Sequence, residues 1–488
     1  MKTHVKKLFL LPQLIAALGL IMTGRVTAQN FTNLYNFLGE YQIVSDGNSP
    51  VGNLVQSGNT LYGMTQSGGS DGAGTMFSIH TDGTGYTNFY NFNYAGPDGG
   101  FPNGSSGGIP YGGLILSGNT LYGTTSEGSS DNGTVFAVKT DGTGFTNLYR
   151  FIGTTQGSHP QAGLILVGNT LYGTTYAGGS NNDGTVFAVN TDSTGFTNLH
   201  NFAYDIDGGN PQAGLVLSGN TLYGTTSAGG AANNGTVFSI GTNGKNFASL
   251  YAFTNVNDGA TPEANLIISG STLYGTAFGG GTGGVGTVFA INTDGTGYTN
   301  LYTFSAGAAN EQDNTTNSDG AGPRAELLLL GNTLYGTANQ GGLGGVGTIF
   351  AVNTDSTGFT NLYNFTEPDP NTFTNIDGGV PWAGLILSGS TLYGTTSADG
   401  TENLGTVYGL SVTVVTVPGV PLLNILRSGT NVVLSWPTNA TGFNLEFATN
   451  LVSPVWDPGS PAPFVVGTNN AVTNGISGKQ RFYRLAAH

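Results

Sequence analysis

The chain contains no cysteine, and only 8% of its residues are charged. The first absence excludes a disulfide framework and a thiolate metal site, so a packed core has to hold the fold together. Cations are scarcest, with 12 Lys+Arg against 27 Asp+Glu. A surface so poor in positive charge repels nucleic acid and anionic lipid, so neither is expected as a partner. Tryptophan occurs three times and histidine five times, and no stretch has the period of a long amphipathic helix.

One extended apolar run exists, residues 8–22, and it sits at the N-terminus. Lys2, Lys6 and Lys7 precede it, and Val26, Thr27 and Ala28 follow with the small side chains a signal peptidase accepts. Residues 1–28 are therefore expected to be a cleaved signal peptide. A membrane anchor is the alternative, but the run is short for a spanning helix. Removal would take four of the 12 basic residues and leave 8 Lys+Arg against 27 Asp+Glu, a formal charge of −19. An exported protein follows, in the extracellular space, at the cell surface or in the periplasm.

What the chain has in abundance is glycine, 83 residues, together with 27 Phe and 22 Tyr arranged in repeats. The unit is clearest in "PQAGLILVGNTLYGTTYAGGSNNDGTVFAVNTDSTGFTNLHNF". Its T-L-Y-G core recurs with Leu at 61, 121, 171, 222, 273, 334 and 392, and a G-T phrase follows each time. Each unit predicts four strands. "GLILV" reads as a strand buried on both faces, and the next three mix Val, Thr, Phe and Tyr as half-buried strands do. Gly-Asn or Gly-Ser pairs supply the first hairpin, and T-D-G-T-G turns the third strand into the fourth.

Seven such units at spacings of 50 to 61 residues predict an all-β, seven-bladed propeller. The phrase "FTNLYNF", from Phe31 to Phe37, stands alone at the start, whereas the last unit stops after "GTVYGL" without a fourth strand. The N-terminal copy is expected to complete blade seven and close the ring; an open solenoid would leave that edge bare. The expected organisation is a propeller over 29–411, a Val/Pro linker over 412–421 and a small β-sandwich-like domain over 422–488. Monomer is the expected state.

The order of "LYG", "GG", "VFAV" and an aromatic-led outer strand is similar to a kelch blade, with Phe or Tyr where kelch has Trp. More specifically, "GNTLYGTT…GG…GTVFAVNTDGTGFTNLY" resembles the GloVer-type tandem repeat of exported bacterial proteins with a choice of C-terminal anchors, over residues 31 to about 410. The resemblance implies the propeller fold and export, and it brings no catalytic residues. At the C-terminus, "NVVLSWP", "GFNLEFATNL" and "RFYRL" resemble the core strands of a fibronectin type III-like module, with Trp436 as core aromatic.

Chemistry is sparse. His80, His159, His200 and His488 fall at unrelated repeat positions and form no metal-ligand motif. Asp46, Asp207, Asp258, Asp319 and Asp377 each stand four residues before the repeat Pro, where the other two units have Ser106 and Gln156. Two readings are open: a carboxylate ring that binds Ca²⁺ at one mouth of the channel, or ordinary D-G turn chemistry. No other cofactor is implied.

Variation between repeats marks a face. From each repeat Pro to the Leu of T-L-Y-G is always eleven residues, whereas the stretch from the outer aromatic to the next Pro is 19, 24, 15, 15, 15, 25 and 22. The long loops enter blades one, two, six and seven, neighbours in a closed ring, and carry Tyr41, Tyr94, Phe101, Asp313, Glu367 and Phe373. The residue after the Pro is the least uniform: Val51, Tyr111, Gln161, Gln212, Glu263, Arg324 and Trp382. Trp382, Arg324, Tyr111, Glu263, Tyr41, Tyr94 and Phe373 are the candidate ligand-binding residues, with packing between blades as the alternative for Trp382. The expected function is non-catalytic recognition of a polysaccharide or of an envelope or extracellular protein. A polysaccharide lyase or hydrolase and a purely structural envelope protein are the alternatives.

Overall fold

A computed structural model describes residues 27–38, 46–93, 106–128, 132–153, 155–309, 315–413, 424–428, 431–437, 443–448, 463–466, 469–475 and 482–487. The chain divides into two compact units, with Thr413 and Val414 at the division. The larger is the seven-bladed propeller, built from seven antiparallel sheets, six of four strands and one, blade one, of five, in which the short strand Asn48–Pro50 also pairs with Thr60–Ser67. In the third blade the strands are Ile165–Val167, Thr170–Thr175, Thr185–Asn190 and Thr197–Asn201. Its first hairpin turns on Gly168, whose φ of +63° a side chain would rarely adopt although the space around it is open. The third turn is an Asx turn, in which Asp192 Oδ1 accepts from both the backbone N–H and the hydroxyl of Thr194.

Blade seven consists of Ile386–Ser388, Thr391–Thr396, Thr406–Thr413 and, as its outer strand, the N-terminal Thr27–Asn36. Phe31 pairs with Leu410 and Tyr35 with Val407, so the isolated "FTNLYNF" is the missing fourth strand and the ring is closed. An aromatic belt runs through every junction. The Tyr or His of one outer strand stacks on the first aromatic of the next, as in Tyr35–Tyr86, Tyr90–Phe145, Tyr149–Phe196, His200–Phe247, Tyr251–Tyr298, Tyr302–Phe359 and Tyr363–Phe31, with centroids 3.5 to 4.5 Å apart. Beneath each stack a buried Phe just past the outer strand meets the third-strand aromatic of the next blade edge to face, Phe202 on Phe238 for example and Phe365 on Tyr408 in blade seven.

The inner strand departs from expectation. "GLILV" shrinks to three paired residues, Ile165–Val167, all half-buried, and only Leu164 before them is fully in the core. Inner strands of adjacent blades meet one another around the axis, so a face predicted to be covered by a neighbouring layer is only partly covered. The residue before each repeat Pro is another departure. Ser49, Ile109, His159, Asn210, Thr261, Gly322 and Val380 all adopt φ between +52° and +62°. For β-branched Ile109, Thr261 and Val380 that costs on the order of 1–3 kcal/mol each. Two backbone hydrogen bonds offset it: Val380 N donates to Val346 O of the preceding blade (2.7 Å), and its carbonyl accepts from Ser397 N (3.1 Å). The repeat Pro then packs against the Gly of the preceding G-T phrase, so the chain is fixed where it turns towards the axis.

One blade carries an uncompensated polar group. Tyr408 stands where the other third strands have Phe77, Phe136, Phe187, Phe238, Phe289 and Phe350, and it is fully buried. Its hydroxyl has no hydrogen-bond partner among the described residues. Tyr408→Phe is expected to raise the stability of the ring by about 1 kcal/mol, read as a higher denaturation midpoint; a lower midpoint would show that the hydroxyl is satisfied.

The C-terminal unit holds a four-stranded sheet, in the order Asn424–Ser428, Asn431–Pro437, Asn469–Gly475, Phe464–Val466, and a two-stranded sheet of Phe443–Ala448 with Phe482–Ala487. Leu434, Leu445 and Val472 are its buried apolar residues among those described. Residues 414–421 of the expected linker lie outside the described residues, as do residues 1–26 of the expected leader.

Candidate functional site

Each repeat Pro is buried, and the residue after it is half-buried in six of the seven blades. Glu263, Arg324 and Trp382 occupy that position in blades five, six and seven, and the structure brings them together. Arg324 Nε donates to Glu263 Oε2 at 2.9 Å, and Nη2 donates to the same oxygen. The guanidinium carbon lies 3.9 Å from the Trp382 ring centroid and 4.8 Å from that of Phe278. Only 16% of the Arg324 side chain and 10% of Glu263 remain exposed. An ion pair buried to this degree is a poor stabilising device, because desolvation offsets its attraction. The neutral Gln161 and Gln212 fill the same position in blades three and four.

Tyr111, the equivalent residue of blade two, belongs to the same electrostatic neighbourhood. Burial pushes its hydroxyl pKa up and the Glu127 charge adds to this, whereas a hydrogen bond with Gln66 and the Arg324 charge act in the opposite direction. Phe278 was not predicted. It leans over Gly322, where a Cβ would lie 2.8 Å from its ring, and Gly322 is the one glycine among the seven left-handed residues before the Pro.

Below this layer the channel is shut, another feature missed in the sequence. Two residues further on, most repeats have Gly, but blades one, five and six have Asn53, Asn265 and Glu326. Glu326 Oε2 accepts from Asn53 Nδ2 at 2.8 Å and from Asn265 Nδ2 at 3.1 Å. The asparagine Oδ1 atoms accept from Gly384 N at 2.6 Å and Gly214 N at 2.5 Å. At the glycine positions the backbones of adjacent blades touch: a Cβ on Gly163 would meet Gly113 O at 3.0 Å, and one on Gly214 would meet Gly163 O at 2.9 Å. The signal was present as departure from Gly at one fixed offset.

Of the loop residues, Tyr41, Tyr94, Phe101 and Asp313 lie outside the described residues. Phe373 is 64% exposed on a turn organised by Asp369, and no ring contact joins it to the Glu263–Arg324–Trp382 cluster.

The five recurring aspartates are each placed within one blade junction. Asp46, Asp258, Asp319 and Asp377 accept from the hydroxyls of Tyr35, Tyr251, Tyr302 and Tyr363 at 2.6 to 2.8 Å. Asp207 meets His200 Nε2 at 2.8 Å. Each also accepts a backbone N–H from just past the outer strand, namely Leu38, Ala203, Thr254, Ser305 or Thr366. Gln156 takes the Tyr149 hydroxyl in the same way. At each D-G pair the carboxylate reaches back across the loop and ties it to the stacked aromatic. Burial pushes the Tyr35 pKa up, and its hydrogen bond to Asp46 adds to the rise. Among the described residues no three His, Asp or Glu side chains form a group that could hold a metal ion.

Asp399 also went unnoticed in the sequence. It stands where the other six repeats have Gly68, Gly128, Gly178, Gly229, Gly280 and Gly341, with φ of +58°. Its carboxyl packs on Gly379, and the buried Oδ2 has no partner among the described residues. Burial, and then the neighbouring Asp377 charge, push its pKa up to about 6.

Among the described residues no helix is long and apolar enough to cross a membrane. Solved structures similar to this chain include the tricorn protease (13% identity, 80% of this chain and 33% of that one, TM-score 0.38). Others are puromycin hydrolase (11%, 80% and 59%, 0.45) and an oligogalacturonate lyase in complex with manganese (11%, 81% and 99%, 0.44). The chain thus spans a third to three fifths of the first two, and at such TM-scores none of their properties is carried over. Curated proteins contain no match to this sequence. The Gloeobacter/Verrucomicrobia repeat matches residues 99–277 and 254–417, well over half of the chain. Those segments contain the T-L-Y-G and G-T phrases of blades two to seven and the Glu263–Arg324–Trp382 cluster they carry, and the chain therefore belongs to the Gloeobacter/Verrucomicrobia repeat family.

Proposed function

We propose that the protein is an exported, non-catalytic binding protein that takes a glycan or an extracellular protein at the channel mouth, where Glu263, Arg324 and Trp382 meet. The observation that carries this reading is the contrast within the repeat. Strand, turn and Pro positions recur blade after blade, whereas the position after the Pro varies and gathers an ion pair and two aromatic rings on a rigid frame. The C-terminal unit serves in this reading as a fibronectin type III-like spacer or attachment module. A screen of the protein against polysaccharides and envelope fractions tests the proposal. Trp382→Ala with Arg324→Ala should weaken capture at least tenfold while the ring stays folded, and capture unaffected by both changes would refute the site.

A polysaccharide lyase or hydrolase is the second reading, favoured by Asp399, whose surroundings hold a proton towards neutral pH as a general acid requires. Analysis of the captured polysaccharide for new chain ends separates the two.

A further inference from the structure

We infer that the ligand at this mouth is the terminal unit of a neutral oligosaccharide, held end-on. The inference rests on the binding-protein reading above and adds to it the chemistry and direction of the ligand. Three observations carry it.

First, six of the seven residues after the Pro are planar polar or aromatic: Tyr111, Gln161, Gln212, Glu263, Arg324 and Trp382. Their backbones are fixed by the left-handed residue and the buried Pro before them. Gln212 Nε2 already donates to Ser227 Oγ at 3.1 Å, so the polar groups open to sugar hydroxyls are its Oε1, the Gln161 amide and the Glu263 Oε1 and Arg324 Nη1 left over by the ion pair, while an aromatic face covers the C–H face of a pyranose. A protein partner would more commonly be met by an apolar patch with a polar rim.

Second, the mouth offers donors and acceptors without a surplus cation. Glu263 neutralises Arg324 through Nε and Nη2, and Nη1 donates no hydrogen bond among the described residues. A carboxylated sugar would approach a chain whose formal charge is −15 even with its leader, and it would find no unpaired positive charge there. A neutral sugar loses nothing on that account.

Third, side chains and backbone bridge the axis beneath the mouth. Glu326, bonded to Asn53 and Asn265 across the axis, and the touching glycine backbones close the channel directly beneath it. A chain cannot thread through, so an end enters and the rest of the polymer leads away. A flat protein surface laid across the opening would leave half-buried polar groups unpaired, which is penalised.

The test uses the full mature chain and calorimetric titration with pentasaccharides ending in glucose, galactose, mannose or N-acetylglucosamine. Their uronic acid-terminated counterparts, and chains capped by a bulky group at one end, at the other or at both, complete the panel. At least one neutral chain should bind with one site per protein, its uronic acid counterpart at least tenfold more weakly. A cap on one particular end should abolish binding, while a cap on the other leaves it. Gln161→Ala and Gln212→Ala, at positions outside the ion pair, should each weaken binding about tenfold with unchanged melting. Tighter binding of the uronic acid form, equal binding of the doubly capped chain, or no binding across the panel overturns the inference. Capture of an envelope protein that is lost in Trp382→Ala, with every sugar silent, would overturn it while the mouth remained the site. Sugar binding untouched by Trp382→Ala, Gln161→Ala and Gln212→Ala would overturn the mouth itself.

Discussion

Deleting residues 29–37 should abolish the cooperative unfolding of the whole propeller, not merely fray blade seven. The N-terminal strand contributes to three neighbouring blades at once. Phe31 stacks on Tyr363 and packs against Phe365 and Tyr408, and Tyr35 stacks on Tyr86 and bonds Asp46. Phe37 is 0% exposed, in a cluster with Leu61, Phe77 and Val407. Removing a single buried Phe side chain costs about 3–5 kcal/mol, so losing these contacts together rivals the 5–15 kcal/mol by which domains are ordinarily stable, roughly speaking. Phe37→Ala is the graded version and should lower the midpoint measured by circular dichroism while keeping one transition. An unchanged midpoint in the deletion would mean that the ring closes without this strand.

Replacing Asp399 with Asn should stabilise the protein at pH 7.5 and lose that advantage on acidification. The carboxyl is unfavourably placed when charged: its Oδ2 is buried and unpartnered among the described residues, and Asp377 adds like charge. The folded-state pKa of about 6 lies above the value of 3.8 of a free aspartate. The folded protein therefore holds the proton more tightly than the unfolded chain. Stability from this group is complete below about pH 4 and is lost as the pH rises through 6. The upper bound is about 3 kcal/mol, reduced where solvent reaches the carboxyl. Melting midpoints of the two proteins between pH 4 and 8 should thus converge at the acid end, diverge as the pH rises from about 4 to 6 and stay apart above it. Asp399→Gly tests the same charge but is strained differently, because Gly tolerates the φ of +58°. A separation that is constant with pH would locate the effect in packing, not in charge.

Ring closure was legible in the sequence because the phrase "FTNLYNF" is a whole strand with no preceding unit. The convergence of Glu263, Arg324 and Trp382 was legible because all three follow a Pro held at constant distance from T-L-Y-G. The tie between Tyr302 and Asp319 was not, since a loop of variable length separates the partners and hides their offset; in blade four the same tie spans only seven residues, Tyr251 to Asp258. Nor do Ile109, Thr261 and Val380 announce a left-handed backbone, because β-branched residues argue against it and only the bonds to neighbouring blades impose it. Asn53, Asn265 and Glu326 could have been found by the test that found Trp382, applied two residues further along. Which of them meet across the axis required the closed ring.

Hydrogen–deuterium exchange of the intact protein, with and without the polysaccharide or envelope fraction it captures, tests the assignment of the working face most directly. Protection is predicted in the segments around Glu263, Arg324 and Trp382, together with the Gln161 and Gln212 turns. The opposite face carries the exposed Asx turns of Asp82, Asp141, Asp192, Asp294 and Asp355. Protection confined to those turns, with the residues after the Pro unchanged, would contradict the assignment.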